Sequence, residues 1–432
     1  MFDRWRDIPA FLRTPLGRKQ LLYRGYYSAW PLLRRGATFY RRTLGRKPRV
    51  VTVVGSFGKT TTARAVTAAL GGKPPPDIIP NAWNFLAHAI LCLRPQQQHK
   101  VIEVGISRKG QMQIYAGMIR PDITVVTCIG SEHNRSLGTL KVTRAEKSEM
   151  VRSLSTSGTA VLNGDDSDVR WMKRRTRARV VTFGLNEASD IRATNVMLDW
   201  PHGTRFELHT DGQIRNLRIR LIGRHMVYPI LAAVGVALSE GFELDQILPG
   251  LEALPPTPGR LQPIRLASGG YLLRDEYKSS LETIETALDV LSQIPAKRRI
   301  VVLGDVSEPP GSQGPIYRHI GKRIAEIASR AVILGRNFQR YAAGATRAGF
   351  PRDALFDAGL SVLGAVHELQ QTIGPGDVAL IKGRDTQRLD RIALAIMGRK
   401  VKCDISFCNA TLMRCDNCPM LERGWRGCRV VM

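Results

Sequence analysis

Residues 53–66 read VVGSFGKTTTARAV, and this stretch decides the fold. A β-branched run, RVVTVV from Arg49, leads into it, and the helix-forming run TTTARAVTAAL leads out of it. The glycines therefore mark a strand-to-helix turn, the context that gives a phosphate loop its meaning. Gly55 and Gly58 let the backbone bend close to a phosphate, so that amides and the helix N-terminus point at the anion. Lys59 supplies a point charge for the β- and γ-phosphates, and Thr60 a hydroxyl for Mg²⁺. The longer pattern GxxxxGK[ST] would place glycine at position 53, where this chain has Val53, so the loop is the shorter GxxGKT form. Gly55, Ser56, Phe57, Gly58, Lys59, Thr60 and Thr61 are the candidate nucleotide-binding set, with ATP as the expected ligand. Kinases, motors and ligases all use such a loop, so the reaction has to be read elsewhere.

Outward from the loop, short apolar runs alternate with helical patterns: KVIEVGIS, DITVVTCIG and, further on, YLLRDEY, RRIVVLGD, RAVILG and DVALIKG. That alternation predicts parallel sheets covered by helices. Between about Asp190 and Leu221 the period becomes two, with turn signals at His202-Gly203 and Asp211-Gly212, which predicts antiparallel strands. A helix is expected from His225 to Glu240, and LPPTPGR near residue 255 reads as a hinge. The expected fold class is α/β, a P-loop central ATPase domain with a mainly parallel sheet plus a smaller C-terminal Rossmann-like α/β domain. The expected boundaries are a basic, aromatic-rich extension (1–48), the central ATP-binding domain (49–255), the C-terminal domain (256–398) and a cysteine-rich tail (399–432).

The chain has 432 residues and a net charge of +27, from 64 Lys and Arg against 37 Asp and Glu. Such an excess favours polyanions. Residues 1–49 hold thirteen Lys or Arg against two Asp, interleaved with Trp5, Tyr23, Tyr26, Tyr27, Trp30 and Tyr40. Three readings of this arm stand open: a helical extension with its aromatics tucked against the body, peripheral contact with an anionic membrane or a partner protein, and nucleic-acid binding, the least favoured. No apolar run is long enough to cross a bilayer and no secretory signal is read, so the expected location is cytoplasmic, at most peripheral at the inner membrane face. Cys92 and Cys128 are expected in the core. The other five cysteines, Cys403, Cys408, Cys415, Cys418 and Cys428, crowd the tail around a CxxC knuckle. They suggest a structural Zn²⁺ site, with an iron–sulfur centre or unliganded thiols as alternatives.

VIEVGISRKGQ, RPDITVVTCIGSEHNRSLGTLKVTRAEKSEM, GTAVLNGDD, IGRHMVYPILAA, PPTPGR, LLRDEYKSSLETIETALDVL and LIKG occur in the order and spacing of the Mur ligases. The resemblance covers roughly residues 50–398 and is greatest to the branch that adds D-alanyl-D-alanine. It implies ATP-dependent amide synthesis, in which ATP phosphorylates a carboxylate and an amine attacks the acyl phosphate. By resemblance Lys59, Lys147 and His133 are catalytic, and Thr60, Glu103, His133 and Lys147 serve the metal, Lys147 as a CO₂-derived carbamate. Arg260 matches an arginine that reaches the γ-phosphate after hinge closure. Asp275 and Tyr277 match groups beside the ribose, and His225 belongs to the adenine-contacting stretch. Asn81, Asn84 and Lys382 match substrate-side groups. The implied partners are small-molecule or peptide carboxylate and amine substrates.

The chain departs from the family in three places. Met226 and Pro229 stand where the family has asparagines beside adenine, and Lys278 and Leu281 where it has Asn and Pro. Only the 48-residue arm precedes the first core strand, where family members carry a UDP-sugar-binding domain, so the expected acceptor is a smaller acid, a peptide, or something held by a partner or at a membrane. A nucleotide-binding regulator without ligase activity, or a basic nucleic-acid binder with a zinc-knuckle tail, is the alternative.

Overall fold

The computed structural model describes residues 12–76, 80–131, 134–309, 311–408, 410 and 413–424. Cys428 and His133 lie outside them. The chain divides into two compact units, one formed by Gly25–Pro255 and the other by the residues from Pro256 onward with those before Gly25.

The central unit is built on one eight-stranded sheet. Its strands are β1 (Arg49–Val54), β2 (His99–Glu103), β3 (Ile123–Val126), β4 (Thr159–Asn163), β5 (Arg179–Gly184), β6 (Ile191–Asp199), β7 (Gly203–Thr210) and β8 (Gln213–Ile219). The order is β2-β1-β3-β4-β5-β6-β7-β8. The run from β2 to β6 is parallel, whereas β6, β7 and β8 pair antiparallel. Strands β3 and β4 are buried throughout, as a parallel sheet covered on both faces requires. The period-two segment therefore extends this sheet. Asp211 and Gly212, both at positive φ, make the two-residue turn between β7 and β8. The helix Val227–Ser239 is almost wholly apolar and packs against the phosphate-loop helix Lys59–Ala69 and against β4 and β5.

The arm helix Trp30–Arg42 lies on this unit. Trp30 packs edge-to-face on Trp83 and Tyr115, and Ala37 joins the main core cluster. Arg41 is buried and donates to the carbonyls of Gly45, Pro48, Ile119 and Arg120 and to the Asp122 carboxylate at 2.9 Å. A guanidinium satisfied at so many points staples the arm to the start of β1 and β3. Trp30 and Tyr40 on this helix are tucked against the body, as the first of the three readings expects, whereas Phe39 is exposed.

The second unit carries a six-stranded sheet. Its strands are β9 (Gln262–Arg265), β10 (Tyr271–Asp275), β11 (Arg299–Leu303), β12 (Arg330–Leu334), β13 (Leu355–Gly359) and β14 (Val378–Lys382), in the order β13-β12-β11-β14-β10-β9. Only β9 runs antiparallel to its neighbour. The tail is part of this unit. Buried Arg391 donates to the carbonyls of Cys403 and Ile405, and Asp390 accepts from the Cys415 amide. Leu16 from the arm shares a small apolar cluster with Ala410 and Met420. No helix among the described residues is long and apolar enough to cross a membrane.

Candidate active site

Gly55 and Gly58 both adopt positive φ, and the loop between them turns around the hydroxyl of Ser56. A side chain at Gly55 would place its Cβ 1.9 Å from Thr127 Oγ1, so only glycine fits there. Lys59, at the N-terminus of its helix, donates from Nζ to the carbonyls of Gly55 at 3.0 Å and Ser56 at 2.9 Å. Its ammonium is held over the concave side of the loop. Thr60 is half-buried and Thr61 buried on the first turn.

Three groups at the end of β3 back the loop. Thr127 Oγ1 donates to Phe57 O at 2.6 Å, the Phe57 amide donates to Cys128 Sγ at 3.4 Å, and Ser56 exchanges hydrogen bonds with Gly130. These backing groups lay unmarked in the run TCIG, whose only visible sign was its place at a strand end.

Lys147, on the helix Leu140–Arg152, reaches the same serine. Its Nζ donates to Ser56 Oγ at 2.9 Å, and the residue is 3% exposed. Burial and then the neighbouring Lys59 charge hold its pKa well below that of an ordinary lysine. On the adjacent strand, Glu103 ends β2 and accepts from Asn81 Nδ2 at 2.6 Å. The Asn81 carbonyl in turn accepts from the Gly105 amide.

The described residues thus bring together the glycine loop, Lys59, Thr60 and Lys147, with Asn81 tied to Glu103 at the end of the next strand. Asn84 does not join them. It is fully buried, donates to the main chain of Tyr26 and accepts the Tyr26 hydroxyl at its carbonyl, so its amide anchors the arm rather than facing a substrate.

The profile of the Mur ligase middle domain matches residues 53–237, and that of the Mur ligase glutamate ligase domain matches residues 259–384. The chain belongs to the Mur ligase family. The UDP-N-acetylmuramoyl-tripeptide–D-alanyl-D-alanine ligase of Escherichia coli is 32% identical over 281 residues, 63% of this chain and 61% of that protein. The chain thus matches less than two thirds of the length of that relative. The ligase of the same name from Mycobacterium tuberculosis strain H37Rv is 28% identical over 373 residues, 81% of this chain and 72% of the relative. Among solved structures, MurF from Acinetobacter baumannii superposes with a TM-score of 0.75 at 25% identity, covering 85% of this chain and 80% of that one. A MurF ligase of Thermotoga maritima solved with ADP shares the fold at 22% identity, with a TM-score of 0.72 and coverage of 85% of this chain and 83% of that one.

In this member of the family, His225 sits half-buried in a single 3-10 turn just before the helix Val227–Ser239. Met226 and Pro229, which replace the family's asparagines, are both buried. Between them Tyr228 donates its hydroxyl to Asp165 at 2.8 Å.

The second unit holds the remaining candidates. Arg260 stacks its guanidinium on the Tyr277 ring at 4.8 Å. Asp275 accepts from the Leu261 amide and from Lys382 Nζ at 2.7 Å. Lys382 was matched by resemblance to a substrate-side group. It is 1% exposed, and its ammonium is engaged by Asp275 and by the carbonyl of Lys278. It holds the Asp275 carboxylate in place instead of offering a charge to a substrate.

In the tail, Cys428 lies outside the described residues. Among the described residues no group of three or more His, Cys, Asp or Glu is arranged to hold a metal. Cys415 is buried with Leu394 and Leu421, while Cys408 and Cys418 pack against the Leu16 cluster. Cys403 is buried beside the Arg391 guanidinium. Apolar packing and the buried Arg391 hold these residues in place. Cys92, expected in the core, is exposed at the end of its helix.

The tail also supplies a residue that sequence reasoning missed. Arg414 donates to the Pro258 carbonyl at 2.8 Å, lies 5.8 Å from the Tyr277 ring centre, and approaches Glu276 Oε1 at 3.5 Å. Glu276 is gripped at 2.6 Å by Arg274, which also pairs with Asp416 at 3.0 Å. The segment Asp275-Glu276-Tyr277 is thus braced by the tail. Nothing in the sequence around Arg414 marks it, because apart from Asp416 at 3.4 Å its partners Pro258, Glu276 and Tyr277 lie more than a hundred residues away.

Proposed function

We propose that this chain is an ATP-dependent ligase that joins a carboxylate substrate to the amine of an amino acid or peptide. The γ-phosphoryl group passes to the carboxylate, giving ADP and an acyl phosphate. The amine then attacks the acyl carbon, the C–N bond forms, and phosphate and a proton leave.

The observation that carries this reading is the position of Lys147, buried and bonded to the phosphate-loop serine. A plain nucleotide-binding loop has no use for a second buried lysine beside the first, because the two repel. A buried amine with a lowered pKa is neutral more of the time, and a neutral amine can attack CO₂ to form a carbamate with loss of a proton. That converts a mutually repelling pair of cations into a cation beside an anion.

The loop suits a nucleotide triphosphate, since the space a Cβ at Gly55 would need is closed by Thr127 and the helix that starts at Lys59, with no side-chain cap, turns its N-terminal amides to a phosphate. Thr60 and Glu103, with the Lys147 carbamate, would hold Mg²⁺ through hard oxygen ligands, and the bound ion would neutralise phosphate charge. Ser56 orients Lys147, and Lys59 steadies the transferred phosphoryl group. On the second unit we assign Arg260 to the nucleotide phosphates and Asp275 with Tyr277 to the ribose side. D-Alanyl-D-alanine, the amine named for the relatives, is the first amine to test.

Purified protein is assayed for phosphate release with ATP and Mg²⁺ across pairs of carboxylates and amines. Turnover that requires both partners is the expected result. Turnover indifferent to both would replace the ligase reading with that of an ATPase regulator.

A further inference from the structure

The face of the arm helix Trp30–Arg42 turned away from the body has an unusual composition. Trp30, Leu33, Ala37, Tyr40 and Arg41 point inward, into the core or onto buried carbonyls. The outward stripe is Leu32, Arg35, Gly36, Phe39 and Arg42, followed by Leu44, Arg46 and Lys47. Leu32 is 73% exposed, Phe39 69% and Leu44 70%. A Cβ placed on Gly36 would meet nothing within 4 Å, so the space between Leu32 and Phe39 is open. Among the described residues Arg35, Arg42, Arg46 and Lys47 have no ion-pair partner. No Asp or Glu occurs in the sequence between Asp7 and Asp77.

We propose that this stripe docks on an anionic phospholipid surface, with Leu32, Phe39 and Leu44 entering the interfacial layer and the basic side chains meeting headgroup phosphates. Large apolar side chains at this exposure are unfavourable in water, and they alternate along the helix with cations. A bilayer with anionic headgroups satisfies both halves of that pattern at once. A nucleic-acid duplex would engage the cations and leave Leu32 and Phe39 in water. An acidic protein would have to supply an apolar groove as well, whereas a bilayer needs no matching shape. Gly45, buried against the Tyr40 ring, and the Arg41 staple hold the helix end in place, so the stripe is presented on a fixed base. The proposal stands apart from the ligase reading, since none of these residues touches the phosphate loop.

The test uses the full chain in co-sedimentation with vesicles of phosphatidylcholine alone or mixed with phosphatidylserine. Binding is expected only to the mixed vesicles and should weaken as salt is raised. Leu32→Ser with Phe39→Ser, and separately Arg35→Glu with Arg42→Glu, should each weaken it by about tenfold or more. Circular dichroism and thermal melting of both variants should match the parent, because every substituted side chain is exposed or nearly so. Failure of the parent to bind mixed vesicles, or equal binding by the Leu32/Phe39 variant, overturns the proposal. Preferential binding of a DNA duplex that is unaffected by the Leu32/Phe39 variant also overturns it, in favour of nucleic acid.

Discussion

Among the described residues the most deeply buried lysine of each unit, Lys147 in the central one and Lys382 in the second, is treated in the opposite way to the other. Lys382, 1% exposed, faces the Asp275 carboxylate at 2.7 Å. Burial pushes its pKa down and that of Asp275 up, and the attraction between the two opposes both shifts. Lys147, 3% exposed, has no carboxylate within ion-pair distance among the described residues and bonds a serine hydroxyl. Burial and then the Lys59 charge push its pKa down, and the more distant Cys128 and Asp166 oppose that only in part. A buried cation without a counter-ion is strongly unfavourable, so a fold that keeps one has left it available for chemistry. The paired lysine shapes its site. The unpaired one is the member we propose as reactive.

The sharpest way to break this contrast is Lys147→Ala. We expect kcat for phosphate release to fall by about a thousandfold, the scale seen when a group that stabilises transition-state charge is removed. Partial recovery on adding a small carboxylate to the buffer would fit the carbamate assignment, and an unchanged kcat would refute it.

Lys382→Met should behave differently. It leaves Asp275 buried with only the Leu261 amide, which should destabilise the second unit by about 3–5 kcal/mol in equilibrium urea unfolding. Adding Asp275→Asn should restore part of that loss. If Lys382→Met unfolds at the parent's urea midpoint, the pair does not hold the unit together.

A subtler effect separates the two lysines by the sign of their stability change. Lys147 has a native pKa below its ordinary value of 10.5, so across the interval between the two the unfolded chain binds more protons. Its contribution to stability is therefore unfavourable at neutral pH and vanishes as pH rises towards 10.5. In CO₂-free buffer Lys147→Met should melt above the parent at pH 7, and the gap should close by about pH 10. A variant that melts lower at pH 7 would show that Lys147 is compensated in the fold.

The smallest expected change tests the brace on the nucleotide side of the second unit. Arg414→Ala removes one cation from the Tyr277 ring and a hydrogen bond from Pro258. KM for ATP should rise by about threefold to tenfold while kcat stays close to the parent's. Equal loss in both parameters, or none, would remove Arg414 from the list of positioning residues.

Much of the architecture was legible because it depends on local spacing. The run before Gly55, the helix after Lys59 and the Asp211-Gly212 turn all follow from side-chain period and backbone freedom within a few residues. The edge strands β9 (QPIR) and β13 (LFDAG) were not anticipated, because strands so short and weakly patterned are stabilised by the neighbour they pair with. The packing of the cysteine tail was not legible for a related reason. Its spacing suggested a metal, while its order comes from Arg391, Asp390 and Leu16, none of which lies in the tail. Asn84 and Lys382 were placed on the substrate side by analogy, and only tertiary packing reveals Tyr26 and Asp275 as their partners.

The sequence by itself determined the phosphate loop, the alternation of strands and helices and the family, because each is written in residues close together or in ordered motifs. Tertiary structure decided which buried charges are paired. Whether a lysine meets a carboxylate or a hydroxyl depends on chain segments a hundred residues away, and burial makes that difference large enough to govern both stability and reactivity.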